Sequence, residues 1–376
     1  MKRNTHLVRF SVFIIIFSFI CVSFLHAQKI KIKTEDGIQV VYNPKQPAPP
    51  PGTPKKLILT QELSIGEKET EDYMFSEIFS FDVDDDGNIY VLDTKEACIK
   101  VFDRDGKHIR VIGRKGQGPG EIQMASQMHI TAANEILLYD TANRRISFFS
   151  FEGECLKEIP SGKYMFARTI PDSKGNIIAQ SLIFGEKPVY EIIKFDSYLN
   201  PILTLKTLPA EGFGSNIIQM VRPVFNVRVM PDDHIAMGSS SEYEIHIVNP
   251  EGKTVRKIIK DYTPVKITDE EKEEWKKSFE GENLPPGYKL ETSNYQNPYY
   301  YFMCGDDGRI YARIFEKDKK GYFYWDVFDS QGRYITKFSL PENEIAYCVK
   351  KNKMYILIRE NEEGIPVVKR YNMEWK

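Results

Sequence analysis

The chain has 376 residues, of which 41% are apolar and 12% aromatic, so it is long and apolar enough to bury a globular core. Its 51 Lys and Arg residues nearly balance 53 Asp and Glu residues. This balance leaves no excess of basic charge for electrostatic binding to nucleic acid, and we expect no nucleic-acid partner.

Residues 1–27 have the pattern of a secretory signal peptide. Lys2, Arg3 and Arg9 form a positive amino-terminal region, and a mainly apolar run follows from Phe10 to Leu25. Ala27 supplies a small residue at the cleavage position. We therefore predict export to the periplasm or the extracellular space. The alternative is an uncleaved segment that anchors the protein to the membrane, which would be its only membrane contact.

Two short segments precede the main domain. Residues 28–42 predict a β-hairpin, because apolar and polar residues alternate on both sides of the turn formed by residues 35–37. Residues 43–55 are rich in proline, which predicts a stiff, extended linker between this hairpin and the main domain, residues 56–376.

The main domain consists of repeats. Segments 81–112 and 128–159 share one pattern: a strand, a tight turn, a strand ending in Asp-Thr, a strand ending in an aromatic residue, a turn with glycine, and a fourth strand. Four weaker copies follow, and equivalent anchor residues before the second turn are Phe102, Phe149, Phe195, Val248, Phe328 and Tyr371. A period of roughly 40–50 residues with four strands in each unit is typical of β-propeller blades.

The last copy, residues 344–376, has only three strands. Leu57 to Leu63 forms an unassigned strand just before the first repeat, and we predict that it becomes the outer strand of the last blade and closes the ring. The predicted fold is therefore an all-β, six-bladed β-propeller closed by an N-terminal strand, with one short helix in an inter-blade insertion.

The segments NIYVLDTKEACIKVFDRDG, GRKGQGPGE and EILLYDTANRRISFFSFEG, residues 88–106, 113–121 and 135–153, resemble NHL-type repeats. The whole chain resembles the secreted bacterial six-bladed β-propeller proteins of NHL or TolB-like type. This resemblance implies the fold and a role as a binding scaffold, and it does not imply a reaction.

The two faces of the predicted ring differ in loop length. Short Asp-Gly turns occupy one face, and the other, which we call the long-loop face, carries residues 113–127, 208–223 and 263–298. Binding residues on rigid scaffolds concentrate in such loops, so we expect a site on this face around the mouth of the central channel.

The insertion 263–298 carries the predicted helix. Thr268 and Glu271 form a capping box, and the helix is expected to run to about Glu280, with Glu273 and Lys277 as an ion pair. Trp275 and Phe279 form a narrow apolar stripe that either packs on the neighbouring blade or serves as a lid or a docking surface.

Candidate binding residues follow from these loops and from the inner strands. Arg168 and Arg228 stand near the starts of two inner strands, where a bidentate guanidinium suits a carboxylate or phosphate ligand; the alternative is a structural role. Arg114, on the glycine-rich loop, is a further anion contact. The aromatic candidates for stacking on a sugar or a peptide are Tyr295, Tyr299 and Tyr300, whose alternative role is in the core.

The sequence shows no catalytic motif of the H-E-x-x-H or G-x-S-x-G type and no His or Cys residues at metal-ligand spacing. Cys304 and Cys348 fall at the same repeat position and are either free buried thiols or a disulfide. We therefore expect no catalytic residues, metal or cofactor. The predicted function is that of an exported, non-catalytic binding or assembly protein with a peptide, glycan or protein partner. The alternative is a propeller hydrolase or lyase, similar to lactonases or amidating lyases, with a metal at the channel mouth.

Overall fold

The computed structural model describes residues 29–67, 70–210, 214–279, 284 and 286–376. The predicted signal segment, residues 1–27, lies outside the described residues. The strands that precede the first blade are β1 (Lys31–Glu35), β2 (Ile38–Asn43) and β3 (Leu57–Ile65).

Six antiparallel blades follow, and in each of them the chain runs from the innermost strand outward. Blade 1 contains β4 (Ile78–Val83), β5 (Ile89–Asp93), β6 (Cys98–Phe102) and β7 (His108–Ile112). Blade 2 contains β8 (Ala125–Ile130), β9 (Ile136–Asp140), β10 (Arg145–Phe149) and β11 (Cys155–Pro160). Blade 3 contains β12 (Met165–Pro171), β13 (Ile177–Ile183), β14 (Val189–Phe195) and β15 (Pro201–Pro209).

Beyond blade 3, a short strand β16 (Ile217–Gln219) lies in the connection to the next blade. Blade 4 contains β17 (Phe225–Val229), β18 (Ile235–Ser239), β19 (Glu244–Val248) and β20 (Thr254–Lys260). The insertion then supplies helix α1 (Asp269–Lys277) and strand β21 (Lys289–Glu291). Blade 5 contains β22 (Tyr301–Cys304), β23 (Ile310–Lys317), β24 (Phe323–Phe328) and β25 (Tyr334–Leu340). Blade 6 contains β26 (Glu344–Lys350), β27 (Lys353–Ile358) and β28 (Val367–Trp375), with β3 as its outermost strand.

The predicted ring closure is confirmed. Strand β3 pairs antiparallel with β28 over its whole length, from Leu57 opposite Trp375 to Ile65 opposite Val368. Blade 6 therefore combines both ends of the propeller, and β28 has no open edge that other chains can extend.

Apolar cores lie at the seams between adjacent blades. Each of the six seams has its own cluster of buried side chains in the described residues, including the seam between blades 6 and 1, where Ile65 of β3 packs with Phe81 and Tyr355. Middle strands such as β5 and β9 are buried at every residue, which accounts for their continuous apolar sequences.

The repeated Asp-Thr step holds the start of each of the first two inner strands. The carboxylate of Asp93 accepts hydrogen bonds from the backbone of Ser76 at 2.7 Å and Glu77 at 3.2 Å. Asp140 binds the backbone of Gln123 at 2.7 Å and Met124 at 3.1 Å in the same way. Both carboxylates are buried, so this residue type satisfies loop N–H groups that water does not reach.

The N-terminal hairpin does not stand apart from the propeller. Strand β2 pairs with β1 and adds in parallel to the outer edge of β20, so blade 4 belongs to a six-stranded sheet. The proline-rich segment that we predicted as a linker runs along the rim of blade 5, where the N–H of Ala48 donates to the Tyr334 carbonyl at 3.0 Å. It then reaches blade 6, where Lys55 N–H donates to the Lys376 carbonyl at 2.6 Å. Residues 38–56 thus form a strap that joins three blades on their outer side.

Candidate functional site

A large cavity occupies the centre of the ring. Its volume is about 1750 Å³, and residues from the innermost strand of every blade line it. Pockets for small ligands usually measure about 300–1,000 Å³, so this channel has room for an extended or branched molecule.

The mouth of the channel on the long-loop face is partly apolar. Phe79, Val224 and Tyr300 line the cavity at the starts of their inner strands, and 43%, 40% and 47% of their surfaces are exposed. Large exposed apolar side chains that surround a cavity are typical of ligand-binding surfaces. The mouth therefore offers apolar and aromatic contacts to a ligand.

Beside the mouth, two cations contact the aromatic rings of Tyr300 and Phe323. The Arg313 guanidinium is 5.3 Å from the centre of the Tyr300 ring and 4.2 Å from that of Phe323. The Lys317 ammonium lies 4.4 Å from the Phe323 ring centre on the same side of the mouth. These cation–π contacts keep both cations at the surface of the channel.

The middle of the channel contains Arg168 of β12 and Arg228 of β17, both half-buried. The Arg228 guanidinium donates to the Val227 carbonyl at 2.7 Å. Among the described residues, no carboxylate lies within 4.0 Å of either guanidinium. Burial, reinforced by the charge of Arg168, lowers the pKa of Arg228 to about 9. Burial also lowers the pKa of Arg168.

His129 and Asp82 face the same region from blades 2 and 1. The His129 Nδ1 atom lies 4.0 Å from the Asp82 Oδ2 atom. Burial, together with the charges of Arg168 and Arg228, lowers the pKa of His129 to about 4, so the imidazole is neutral at neutral pH. The Asp82 carboxylate accepts from the Ile130 N–H at 2.9 Å, and burial raises its pKa.

Blades 5 and 6 contribute phenols and thiols. The Tyr347 hydroxyl lies 2.9 Å from the Ser80 hydroxyl, and the Tyr301 hydroxyl donates to the Ala346 carbonyl at 3.0 Å. Cys304 and Cys348 both line the cavity as free thiols, so the disulfide alternative is not realised. Burial raises the pKa of Cys304 to about 12, which keeps this thiol protonated and unreactive.

Two long loops meet at the mouth. Strand β16 of one loop pairs in parallel with β21 of the insertion, and the Asn297 side chain donates to the Arg222 carbonyl at 3.0 Å. The base of the insertion is closed by a bridge between Lys266 and Tyr295. Val265, Lys266, Glu271 and Gln296 line the cavity there, so the insertion forms part of the channel wall.

The capping box of helix α1 is confirmed, with Thr268 and Glu271 bonding each other's backbone N–H groups. The helix ends at Lys277, earlier than predicted. Near its middle, the Glu273 carboxylate forms an ion pair with the Lys276 ammonium at 2.8 Å. Of the two alternatives for its apolar stripe, burial against the neighbouring blade is not observed: no residue of α1 is buried, and the Trp275 ring contacts the Phe279 ring.

The candidate residues from the sequence fall in different places. Arg168, Arg228 and Tyr300 line the channel. Arg114 lies outside the cavity lining, and its guanidinium contacts the Glu121 carboxylate at 3.0 Å within the glycine-rich loop. Tyr295 is 53% exposed beside the mouth, whereas Tyr299 is fully buried between blades 4 and 5.

Sequence reasoning missed Phe79, Val224, Asp82, His129 and Tyr347 as lining residues. Each lies on or beside an innermost strand, and a blade-by-blade alignment of these strands would have marked their positions. Their side chains are of different types, so no shared motif identifies them.

These observations define a six-bladed β-propeller with a ligand-sized central channel. The chain belongs to the family described as Domain of unknown function (DUF4934), whose pattern matches residues 69–373. No curated protein matches the chain.

Solved structures share the fold at low sequence identity. A "putative exported protein" of Bacteroides fragilis has 11% identity and a TM-score of 0.54, with 89% of this chain and 99% of that chain covered. A member of the DUF4221 family from Bacteroides vulgatus has 12% identity and a TM-score of 0.54, with 86% and 99% covered. Virginiamycin B lyase from Staphylococcus aureus has 9% identity and a TM-score of 0.45, with 84% and 99% covered. At these identities, the two matches with a TM-score of 0.54 show a common fold alone.

Two further findings concern the described part of the chain. Within it, no three or more His, Cys, Asp or Glu side chains are grouped so that they could hold a metal ion. No helix there is long and apolar enough to cross a membrane.

Proposed function

We propose that this protein is an exported, non-catalytic binding protein whose central channel takes up a ligand from the long-loop face. The observation that carries the proposal is the cavity of about 1750 Å³, which is lined by every blade and opens between exposed apolar side chains. A peptide or glycan chain is the ligand that best matches this volume and these aromatic contacts.

The rigidity of the scaffold supports this role. Six buried seams, a paired closing strand and the rim strap hold the inner strands in place, so the channel is preformed. A preformed site loses little conformational entropy when a ligand binds.

Export and repeat type belong to the same proposal. The positive N-terminal residues and the apolar run from Phe10 to Leu25 support secretion, as does the description of the Bacteroides fragilis neighbour. The Asp-Thr steps at Asp93 and Asp140 support repeats of the NHL or TolB-like type. Detection of the mature N-terminus in exported protein would test the predicted cleavage.

Filling the channel mouth tests the binding function. The double variant Ala167→Trp/Val224→Trp places two indoles at exposed lining positions, and Leu156→Trp/Ile202→Trp places two on exposed outer strands as a matched control. Each protein is equilibrated with peptides and oligosaccharides extracted from the native cell envelope, and the retained molecules are identified by mass spectrometry. We expect the mouth variant to retain at least tenfold less of each ligand than the wild type and the control retain. Equal retention by all three proteins would refute the proposal.

A further inference from the structure

The charged side chains that line the channel are unequally paired. The carboxylates are all bound by groups of the protein: Asp82 by Ile130 N–H, Asp172 by Lys194, Asp233 by Ser173, Asp306 by Lys351 N–H, Glu271 by Thr268 N–H, Glu316 by Lys337, and Glu342 by Lys317. In contrast, the lining cations without a carboxylate within 4.0 Å in the described residues are Arg168, Arg228, Lys266, Arg313 and Arg359. Among the described residues, hydrogen-bond donors of the protein therefore bind each lining carboxylate, whereas the Arg168 and Arg228 guanidinium groups have no anionic partner.

Arg168 and Arg228 differ from the other three cations because they lie on innermost strands, β12 and β17. Within the described residues, the two guanidinium groups make a single hydrogen bond, from Arg228 to Val227, so most of their donors remain available to a ligand. A half-buried guanidinium without an anion is costly, and two that repel each other are more so. The groups that face them are the neutral His129, the Cys304 thiol and the hydroxyls of Tyr301 and Tyr347. The Tyr301 hydroxyl already donates to the Ala346 carbonyl, so His129 and Tyr347 are the neutral side chains that can donate to an anion.

The apolar mouth and the cationic centre lie along one path. Val224 and Arg228 are four residues apart on and next to β17, which corresponds to about 13 Å of extended strand. A ligand that contacts both therefore has an anionic end and an apolar or aromatic part roughly this far away.

We propose that the channel ligand carries a carboxylate or phosphate that binds between Arg168 and Arg228, with its apolar part against Phe79, Val224 and Tyr300. This inference rests on the proposed channel-binding function and assigns the ligand class. Bidentate hydrogen bonds from the two guanidinium forks supply the recognition of the anion.

Three probes that differ at one end, and whose two ends lie about 13 Å apart when extended, test this assignment: 8-phenyloctanoate, 8-phenyloctyl phosphate and the neutral 8-phenyloctan-1-ol. Isothermal titration calorimetry at constant ionic strength measures their affinities for the full chain. We expect at least one anion to bind tenfold or more tightly than the alcohol, and the tighter anion identifies carboxylate or phosphate as the natural group. Equal affinities for anions and alcohol, or no binding of either anion, would overturn the proposal.

Charge-neutral variants locate the anion. Arg168→Gln and Arg228→Gln are expected to weaken binding of the preferred anion at least tenfold and to leave binding of the alcohol unchanged. Arg104→Gln, on an exposed turn of blade 1, is the matched control and retains wild-type affinity. Because each Gln variant removes an unpaired charge, we also expect its melting temperature without ligand to equal or exceed that of wild type, which excludes misfolding as the cause. Unchanged anion affinity in both Gln variants would overturn the assignment.

The envelope extract separates this inference from the proposed function. If Ala167→Trp/Val224→Trp loses the natural ligands while Arg168→Gln and Arg228→Gln retain them, the channel binds ligands but the anionic assignment is wrong. If the mouth variant retains them too, the proposed function itself fails.

Discussion

Replacing Asp326 is expected to destabilise the seam between blades 4 and 5 more than most single substitutions in this protein. Its carboxylate is fully buried and accepts hydrogen bonds from Tyr243 at 2.6 Å and Tyr334 at 2.5 Å. The Lys260 ammonium from blade 4 lies 3.2 Å away and is itself only 3% exposed. The same ammonium lies 4.8 Å from the centres of both tyrosine rings.

The size of the effect follows from what Asp326→Leu leaves behind. An uncompensated buried ammonium costs about 3–5 kcal/mol when its partner is removed. Two hydroxyls without an acceptor add to this cost, at about 1–3 kcal/mol for each unsatisfied group, although such terms are not additive. We therefore expect the free energy of unfolding to fall by about 4–6 kcal/mol.

Urea denaturation followed by fluorescence measures this change, and the buried Trp325, which packs in the adjoining seam between blades 5 and 6, reports on the unfolding of blade 5. The double variant Lys260→Met/Asp326→Leu removes both charges and is expected to recover at least about 2 kcal/mol relative to Asp326→Leu. Glu273→Leu, which breaks the exposed pair on α1, is the control and should change stability by less than about 1 kcal/mol. A loss below about 1 kcal/mol for Asp326→Leu, or no recovery in the double variant, would refute the reasoning.

Three further predictions concern stability. Burial and the Asp326 charge raise the pKa of Tyr243 and Tyr334 above the usual 10.0. The contribution of these two phenols to the free energy of unfolding is therefore fully present below about pH 10 and is lost as the pH rises above it. Thermal melting across alkaline pH measures this loss, and Tyr243→Phe should weaken the pH dependence. Gly66→Ala should lower unfolding stability by about 2–4 kcal/mol, because Gly66 has φ +119° and a Cβ there would lie 2.5 Å from the Pro366 carbonyl oxygen; an unchanged melting temperature would contradict this. A chain starting at residue 67 lacks β2 and β3 and should aggregate through the exposed edges of β20 and β28, whereas one starting at residue 29 keeps both strands and should stay monomeric by light scattering.

The blade pattern was readable because its signals are local. Asp-Thr steps, Asp-Gly turns and apolar strand runs recur within about 40–50 residues, so each hairpin can be recognised without knowing its neighbours. Ring closure by β3 was also predictable, since a three-stranded last repeat requires a fourth strand and Leu57–Leu63 was the unassigned one. The capping box at Thr268 is equally local and was predicted correctly.

The position of the hairpin β1–β2 was not predictable from the same signals. Its alternating sequence predicts a hairpin and does not say which sheet edge it joins. The structure places β2 beside β20, and the buried Asn43 amide donates to the Gly332 carbonyl at 2.9 Å to bind blade 5 as well. A segment that we interpreted as a linker thereby becomes a strap.

The channel residues show the same limit. Arg168 and Arg228 were candidates because of their positions on inner strands, but their lack of carboxylate partners within the described residues depends on side chains from other blades. Tyr299 and Tyr300 are adjacent in sequence, yet one is fully buried and the other is 47% exposed at the mouth. Successive side chains of an extended segment point to opposite sides, and this alternation decides which of the two tyrosines a ligand can reach.

The sequence by itself determined the number of blades, their strand order, the closing strand and the start of the helix, because these depend on periodicity and turn chemistry within one repeat. Only the tertiary structure decided that Asp326 meets Lys260, that residues 38–56 join three blades, and that unpaired guanidinium groups converge in the described part of the channel. These contacts join residues from different blades, and their energies depend on burial and distances that exist only once the ring has closed.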